Sequence, residues 1–162
     1  MYRSLKPLLF VLLAWTLSPL TLAQSDQELE GRIGLGVSNI GPNSTESISV
    51  DWQATQATSF EFNIGVDTAE NNNYLEAGLR VNRNLFIEEN LAYFLYIGGA
   101  AISQQVTGIN KNGYGIDAGI GGRFFLNGLP NLGFSFRGGL KLVSTDEVSF
   151  RTAFNFGIHY YF

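Results

Sequence analysis

The stretch VSFRTAFNFGIHYYF, residues 148–162, places Val148, Phe150, Phe154, Phe156, Ile158, Tyr160 and Phe162 on one parity and Ser149, Arg151, Ala153, Asn155, Gly157, His159 and Tyr161 on the other. A helix would scatter the apolar set around its circumference, whereas a strand sends successive side chains to opposite faces. The stretch therefore reads as a strand with one strongly apolar face and one face of small, polar and isolated charged residues.

The same period runs upstream through most of the chain. The apolar sets are Ile33, Leu35 and Val37; Ile48, Val50, Trp52 and Ala54; Phe60, Phe62, Ile64 and Val66; and Leu75, Ala77, Leu79 and Val81. They continue with Tyr93, Leu95 and Ile97; Tyr114, Ile116, Ala118, Ile120 and Phe124; and Leu132, Phe134, Phe136, Leu140 and Leu142. With the final stretch these make eight strands. Turn-rich pieces separate them at Asn39–Glu46, Thr55–Ser59, Thr68–Asn73, Phe86–Asn90, Ile102–Gly113, Phe125–Asn131 and Val143–Glu147. Connections this short join antiparallel neighbours, so an up-and-down meander is expected.

The alternate face decides which side is buried. It carries Asp51, Glu61, Asp67, Glu76 and Asp117 against Arg32, Arg80, Arg123, Arg137, Lys141 and Arg151, spaced by Gly and Ser. Nearly balanced charge among small residues suits a crowded interior, because unpaired buried charges are costly. The apolar face carries no charge in these segments, as expected of a face that meets lipid.

Composition agrees. Charged residues are only 15% of the 162, below the roughly 25% usual for soluble domains. The absence of Cys excludes disulfides and thiolate sites, and the net charge of −4 argues against nucleic acid as a partner. At the N-terminus, Arg3 and Lys6 precede an apolar run from Pro7 to Leu22, and Thr21-Leu22-Ala23 is a small-x-small cleavage box. Residues 1–23 read as a secretory signal peptide, too short and too broken by Pro19 for a spanning helix, leaving residues 24–162 as one barrel domain.

Only helices and closed barrels satisfy their backbone in lipid. The expected fold is all-β, an eight-stranded antiparallel up-and-down transmembrane β-barrel with both termini periplasmic. On that topology Trp52, Phe60, Phe86, Tyr93, Phe124, Phe134, Tyr160 and Phe162 fall near periplasmic strand ends, and Tyr74, Tyr114 and Phe150 near the opposite rim. Two aromatic girdles are expected of an outer-membrane barrel.

The alternation of Phe154, Phe156, Ile158 and Tyr160 to a terminal Phe162 resembles the assembly signal of Gram-negative outer-membrane proteins. The chain as a whole resembles small barrels of the OmpA/OmpX type, with Tyr93–Ala101 and Gly115–Phe125 similar to their glycine- and aromatic-rich strands. The resemblance implies outer-membrane lipids and lipopolysaccharide as surroundings, the barrel-assembly machinery and periplasmic chaperones as partners in biogenesis, a monomer, and no cofactor. Ending at Phe162, the chain is expected to be barrel only, without a periplasmic peptidoglycan-binding domain. The predicted outer loops are short, Ile102–Gly113 being the longest.

Eight strands enclose a space that side chains just fill, which argues against an open pore. If Asp67 pairs with Tyr74, Glu61 lies opposite Arg80. If Leu142 pairs with Val148 and Phe124 with Leu132, Gly139 lies between Asp117 and Arg151, flanked by Arg137 and Lys141. Glu61, Arg80, Asp117, Arg137, Lys141 and Arg151 are thus the expected interior charge network, with Arg32 a candidate base for Asp51. The cluster reads either as a scaffold for the barrel core, which we favour, or as a narrow ion path or ligand site. His159 is the sole His, so any His-dependent catalysis would have to use it. Lipid A deacylases among outer-membrane barrels place His and Ser two residues apart, whereas here those positions are Gly157 and Tyr161, and His159 faces inward. An enzyme is not expected. Glu70 with Asn71, Asn72 and Asn73 reads as a solvated turn, and no metal motif occurs.

The mature protein is expected to begin at Gln24 and to migrate differently on gels before and after boiling. N-terminal sequencing checks the first point, and an intact Met1 overturns it.

Overall fold

The computed structural model describes residues 29–40, 45–69, 72–145 and 147–162. Residues 1–23, expected to be a signal peptide, lie outside the described residues, as do Glu70 and Asn71. Eight strands run in order: β1 (Ile33–Ile40), β2 (Thr45–Thr55), β3 (Thr58–Ala69), β4 (Asn72–Glu88), β5 (Leu91–Val106), β6 (Ile109–Leu126), β7 (Leu129–Ser144) and β8 (Val148–Tyr161). Each is hydrogen-bonded to its sequence neighbours, and β1 closes on β8 to form a barrel. All pairings are antiparallel, from Gly34↔Tyr161 at the seam to Asp67↔Tyr74 on the third hairpin.

Parity behaves as the sequence dictates. The apolar sets point outward, Ile48 being 73% and Phe154 69% exposed, while the inward faces are buried. Rings at the end where β1 starts and β8 finishes pair across hairpins: Trp52 stacks on Phe60 at 5.7 Å, Phe86 on Tyr93 at 6.3 Å and Phe124 on Phe134 at 5.2 Å. Tyr160 meets Phe162 edge-on at 5.1 Å. At the other rim the expectation needs correction. Tyr114 and Phe150 are exposed, but Tyr74 is 4% exposed and points into the barrel. Its inward parity follows from pairing with Asp67.

Two expected loops are mostly strand. Ile102–Gly113 contains only a two-residue turn, Thr107-Gly108, with φ of 51° and 80°. Two successive positive φ values match the right-handed twist of the flanking strands. Phe125–Asn131 likewise reduces to Asn127-Gly128, with Gly128 at φ 86°. A register shift there takes Leu126↔Leu129 to Phe125↔Gly133, leaving Pro130 among the extra residues. Proline lacks an N–H for the ladder, so a bulge accommodates it. The β6–β7 register beyond is therefore displaced by two from the expected one, with Phe124 opposite Phe134, and on the last hairpin Ser144 rather than Leu142 pairs with Val148, which independently puts Leu142 opposite Phe150. Lys141, not Gly139, lies between Asp117 and Arg151.

The seam depends on a close approach. A Cβ on Gly36 would fall on the Ile158 carbonyl oxygen and 2.8 Å from His159 Cα, whereas one on Gly99 would meet only Gly115 O at 3.9 Å. Gly36→Ala is expected to destabilise the barrel by about 1–3 kcal/mol, the range of overpacking, while Gly99→Ala stays near neutral. Urea titrations of both variants check the difference, and equal midpoints would contradict it.

Candidate functional site: a polar interior closed at both ends

Inward-facing residues at the terminal end build a floor. Leu29, Phe125 and Tyr161 form an apolar cluster. The Tyr161 ring lies 5.6 Å from that of Phe125. Its hydroxyl donates to Asp51 Oδ2 at 2.6 Å, the same oxygen that accepts from Arg123 Nη2 at 2.5 Å and Gln53 Nε2 at 2.8 Å. Asp51 thus carries three donors from β2, β6 and β8, and its cation is Arg123 rather than Arg32. Arg32 instead donates to Asn131 Oδ1 and, at 3.3 Å, to the Tyr161 carbonyl.

Above the floor Phe94 supports two guanidiniums, with Arg123 Cζ 5.7 Å and Arg137 Cζ 5.6 Å from its ring centroid. Arg137 reaches across the lumen from β7 to bond Glu61 on β3. Glu61 is also opposite Arg80 in register, with Arg80 Nη1 at 3.7 Å. Arg80 makes its closer contact to Asp117, Nε to Oδ2 at 2.9 Å. These two residues are not on adjacent strands. Gly98 of β5 lies between them in both ladders, and a Cβ there would stand 2.5 Å from Asp117 Oδ1 and 2.6 Å from Arg80 Cγ. A glycine is what lets the pair meet.

Toward the other end, Lys141 Nζ donates to Glu76 Oε1 at 2.7 Å and Tyr74 Oη to Glu76 Oε2 at 2.5 Å. Tyr74, Ile102 and Val143 pack there as a second apolar plug. The buried charges among the described residues are four carboxylates (Asp51, Glu61, Glu76, Asp117) and four cations (Arg80, Arg123, Arg137, Lys141). The near-balance that the inward parity implied becomes pair by pair neutralisation.

Of the expected network, Glu61, Arg80, Asp117 and Arg137 come together in one chain of contacts, while Lys141 is buried on a different partner, Glu76. Arg151 does not: although opposite Lys141, it is exposed, on the part of β8 past its last pair with β1, Ser38↔Gly157. Asp51, Arg123, Glu76 and Tyr161 belong to the network and were not in the expected set, although inward parity alone placed all four inside. His159 Nε2 lies 2.7 Å from Ser49 Oγ, with both residues buried at 1% exposure. That contact comes from a distant strand, not from two residues along β8. The assembly-signal residues Phe154, Phe156, Ile158, Tyr160 and Phe162 all face outward and are exposed. Among the described residues no cluster of three His, Cys, Asp or Glu side chains is placed to hold a metal.

These features define a small up-and-down barrel with an apolar outer surface and a packed polar core. The fold is similar to the crystal structure of the N-terminal β-barrel domain of Pseudomonas aeruginosa OprF, with a TM-score of 0.60, 10% sequence identity, and coverage of 82% of this chain and 98% of that one. No family model matches the chain, and no curated protein matches it.

Removing one member of a buried ion pair costs about 3–5 kcal/mol because the other charge is stranded, whereas replacing both is often close to neutral. Asp51→Asn and Arg123→Met should each show that loss, and the double variant less than the sum. Urea unfolding of the four proteins gives the coupling, and strict additivity would separate the two residues.

Proposed function

We propose that the protein is an outer-membrane barrel of a Gram-negative bacterium with a structural, membrane-integrity role and no enzymatic activity. The observation that carries this reading is the combination of an apolar outer wall with an interior neutralised and plugged at both ends. The wall offers lipid and lipopolysaccharide a surface without charge along most strands. The start of β1 and the end of β8 share the end bearing the paired aromatic rings, where Phe162 N donates to Ile33 O at 3.0 Å. That end is periplasmic on this reading, which gives the machinery and chaperones of barrel biogenesis access to β8. The protein acts as a monomer.

The interior favours a scaffold over a conduit. Passage would require parting Tyr74, Ile102 and Val143 at one end and Leu29, Phe125 and Tyr161 at the other, with a ladder of ion pairs between. The buried position of Ser49 and His159 likewise counts against hydrolysis of a membrane lipid, since neither side chain reaches the wall.

Two measurements test the reading together. In planar bilayers the folded protein should give no resolved single-channel steps, and regular steps would favour the narrow transport reading. Ile120 faces outward four residues from the Phe124 ring, so Ile120→Arg should cost about 2–4 kcal/mol for folding into vesicles, as expected for a basic residue near the bilayer midplane. An unaffected variant would remove lipid from that face.

A further inference from the structure

Asparagine is followed by glycine twice in the sequence, at Asn112-Gly113 and Asn127-Gly128. In such a pair the next backbone nitrogen can reach the side-chain carbonyl carbon, because glycine has no Cβ to block the approach. The fold treats the two copies oppositely. Gly113 lies within β6, paired with Ile102 of β5 on one side, and a Cβ on it would fall against Ser144 O on the other. Val106↔Ile109 closes the two-residue turn with exchanged hydrogen bonds, and such pairs alternate along antiparallel strands, so Ile102↔Gly113 is again a bonded pair. The Gly113 nitrogen is thereby committed to the sheet.

Asn127 and Gly128 instead form the two-residue turn between β6 and β7, and both are exposed. Gly128 has φ of 86° and nothing within 4 Å of where a Cβ would stand. Among the described residues no backbone carbonyl accepts from its N–H. The turn between β4 and β5 lies alongside: Phe125 N donates to Asn90 O at 2.9 Å, and the Asn90 side chain donates from Nδ2 to Asn127 Oδ1 at 2.5 Å. A free nucleophile, open space and a donor on the oxygen of the electrophile meet at one residue.

We propose that Asn127 is a site of spontaneous deamidation, assisted by the Asn90 amide. The Gly128 nitrogen attacks Asn127 Cγ and loses its proton to water, a C–N bond forms, and the side-chain nitrogen takes a proton from water and leaves as ammonia. Water then opens the cyclic imide, at Cγ to give aspartate or at the main-chain carbonyl to give isoaspartate. Nothing is oxidised or reduced, and water is the co-reactant. During the attack negative charge builds on Asn127 Oδ1, the atom that the Asn90 amide already faces, and a donor in place before the charge develops lowers the barrier. The product adds a carboxylate near the exposed Glu88 and Glu89. Its isoaspartate form also adds one carbon to the main chain of a turn whose length sets the register of its hairpin.

The test incubates the folded protein in detergent micelles in warm, mildly alkaline buffer and maps its proteolytic fragments by chromatography and mass spectrometry. The fragment carrying Asn127 should gain the mass of a hydroxyl exchanged for an amine and split into two isomers. The Asn112 fragment should lag by at least about tenfold, since a ladder hydrogen bond has to break before the same barrier is climbed. In urea-unfolded protein the two sites should react at similar rates. Asn127→Gln should abolish the change at that turn. Asn90→Asp, which replaces the donor by an acceptor of the same shape, should slow it severalfold while heat-dependent gel mobility stays that of the folded barrel. Equal rates at both sites in the folded protein, or an unmodified Asn127, overturn the proposal. A folded Asn90→Asp variant that reacts at the natural rate overturns the assistance by Asn90, and a gap between the two sites that persists in urea overturns the fold as its cause.

Discussion

Everything inside this barrel depends on opposite charges meeting across a lumen too narrow to leave them apart. Closure of β1 on β8 gives every strand two neighbours, so the inward face of every strand is committed to the same small space. Four carboxylates and four cations are buried there among the described residues. Arg137 crosses to Glu61, Lys141 to Glu76 and Arg123 to Asp51, each between strands that share no ladder. In a medium of low dielectric each such charge is costly alone and tolerable only in its pair. The pairs also overlap, since Glu61 lies against both Arg137 and Arg80, and Arg80 against both Glu61 and Asp117. The middle of the interior therefore behaves as one unit, with Arg123–Asp51 and Lys141–Glu76 as separate pairs on either side of it.

Small residues are the counterpart of that crowding. Arg80 and Asp117 are separated by a whole strand, and they touch because Gly98 leaves the gap open. The inward glycine at that position is the space that the long charged side chains occupy. Phe94 supplies the remaining contact, its ring lying against the guanidiniums of Arg123 and Arg137. A cation held over an aromatic face gains more where water is excluded.

Strand number, order and facing were legible because they follow from a period of two that every side chain obeys locally. The pairing of Glu61 with Arg80 in register was legible too, because the hairpin between Asp67 and Tyr74 is tight. Register past β6 was not. Pro130 forces extra residues into β7 and shifts its pairs with β6 by two without changing parity, and the last hairpin, pairing Ser144 with Val148, shifts β7 on β8 by two on its own account. Partners across the lumen were hidden for a different reason: adjacency in sequence reveals ladder neighbours, while Arg123 and Asp51 are 72 residues apart and meet through empty space. Tyr74 misled as an aromatic near a rim, although its parity already turned it inward to Glu76. Arg151 misled by parity alone, since inward parity on a stretch of β8 that β1 does not flank among the described residues does not bury a side chain.

The inside and outside of the wall are constrained unequally. An inward substitution disturbs a neutralised cluster whose members touch strands on every side, so almost any change there acts on stability first. The outer wall is bound only by the demand to be apolar, and its height differs from strand to strand. Apolar outward residues extend from Tyr160 to Val148 along β8, but only from Trp52 to Ile48 along β2 before Glu46 intervenes. The strand lengths show the same inequality, since β6 runs for 18 residues and β1 for 8 while each supplies its inward side chains to the one neutralised core.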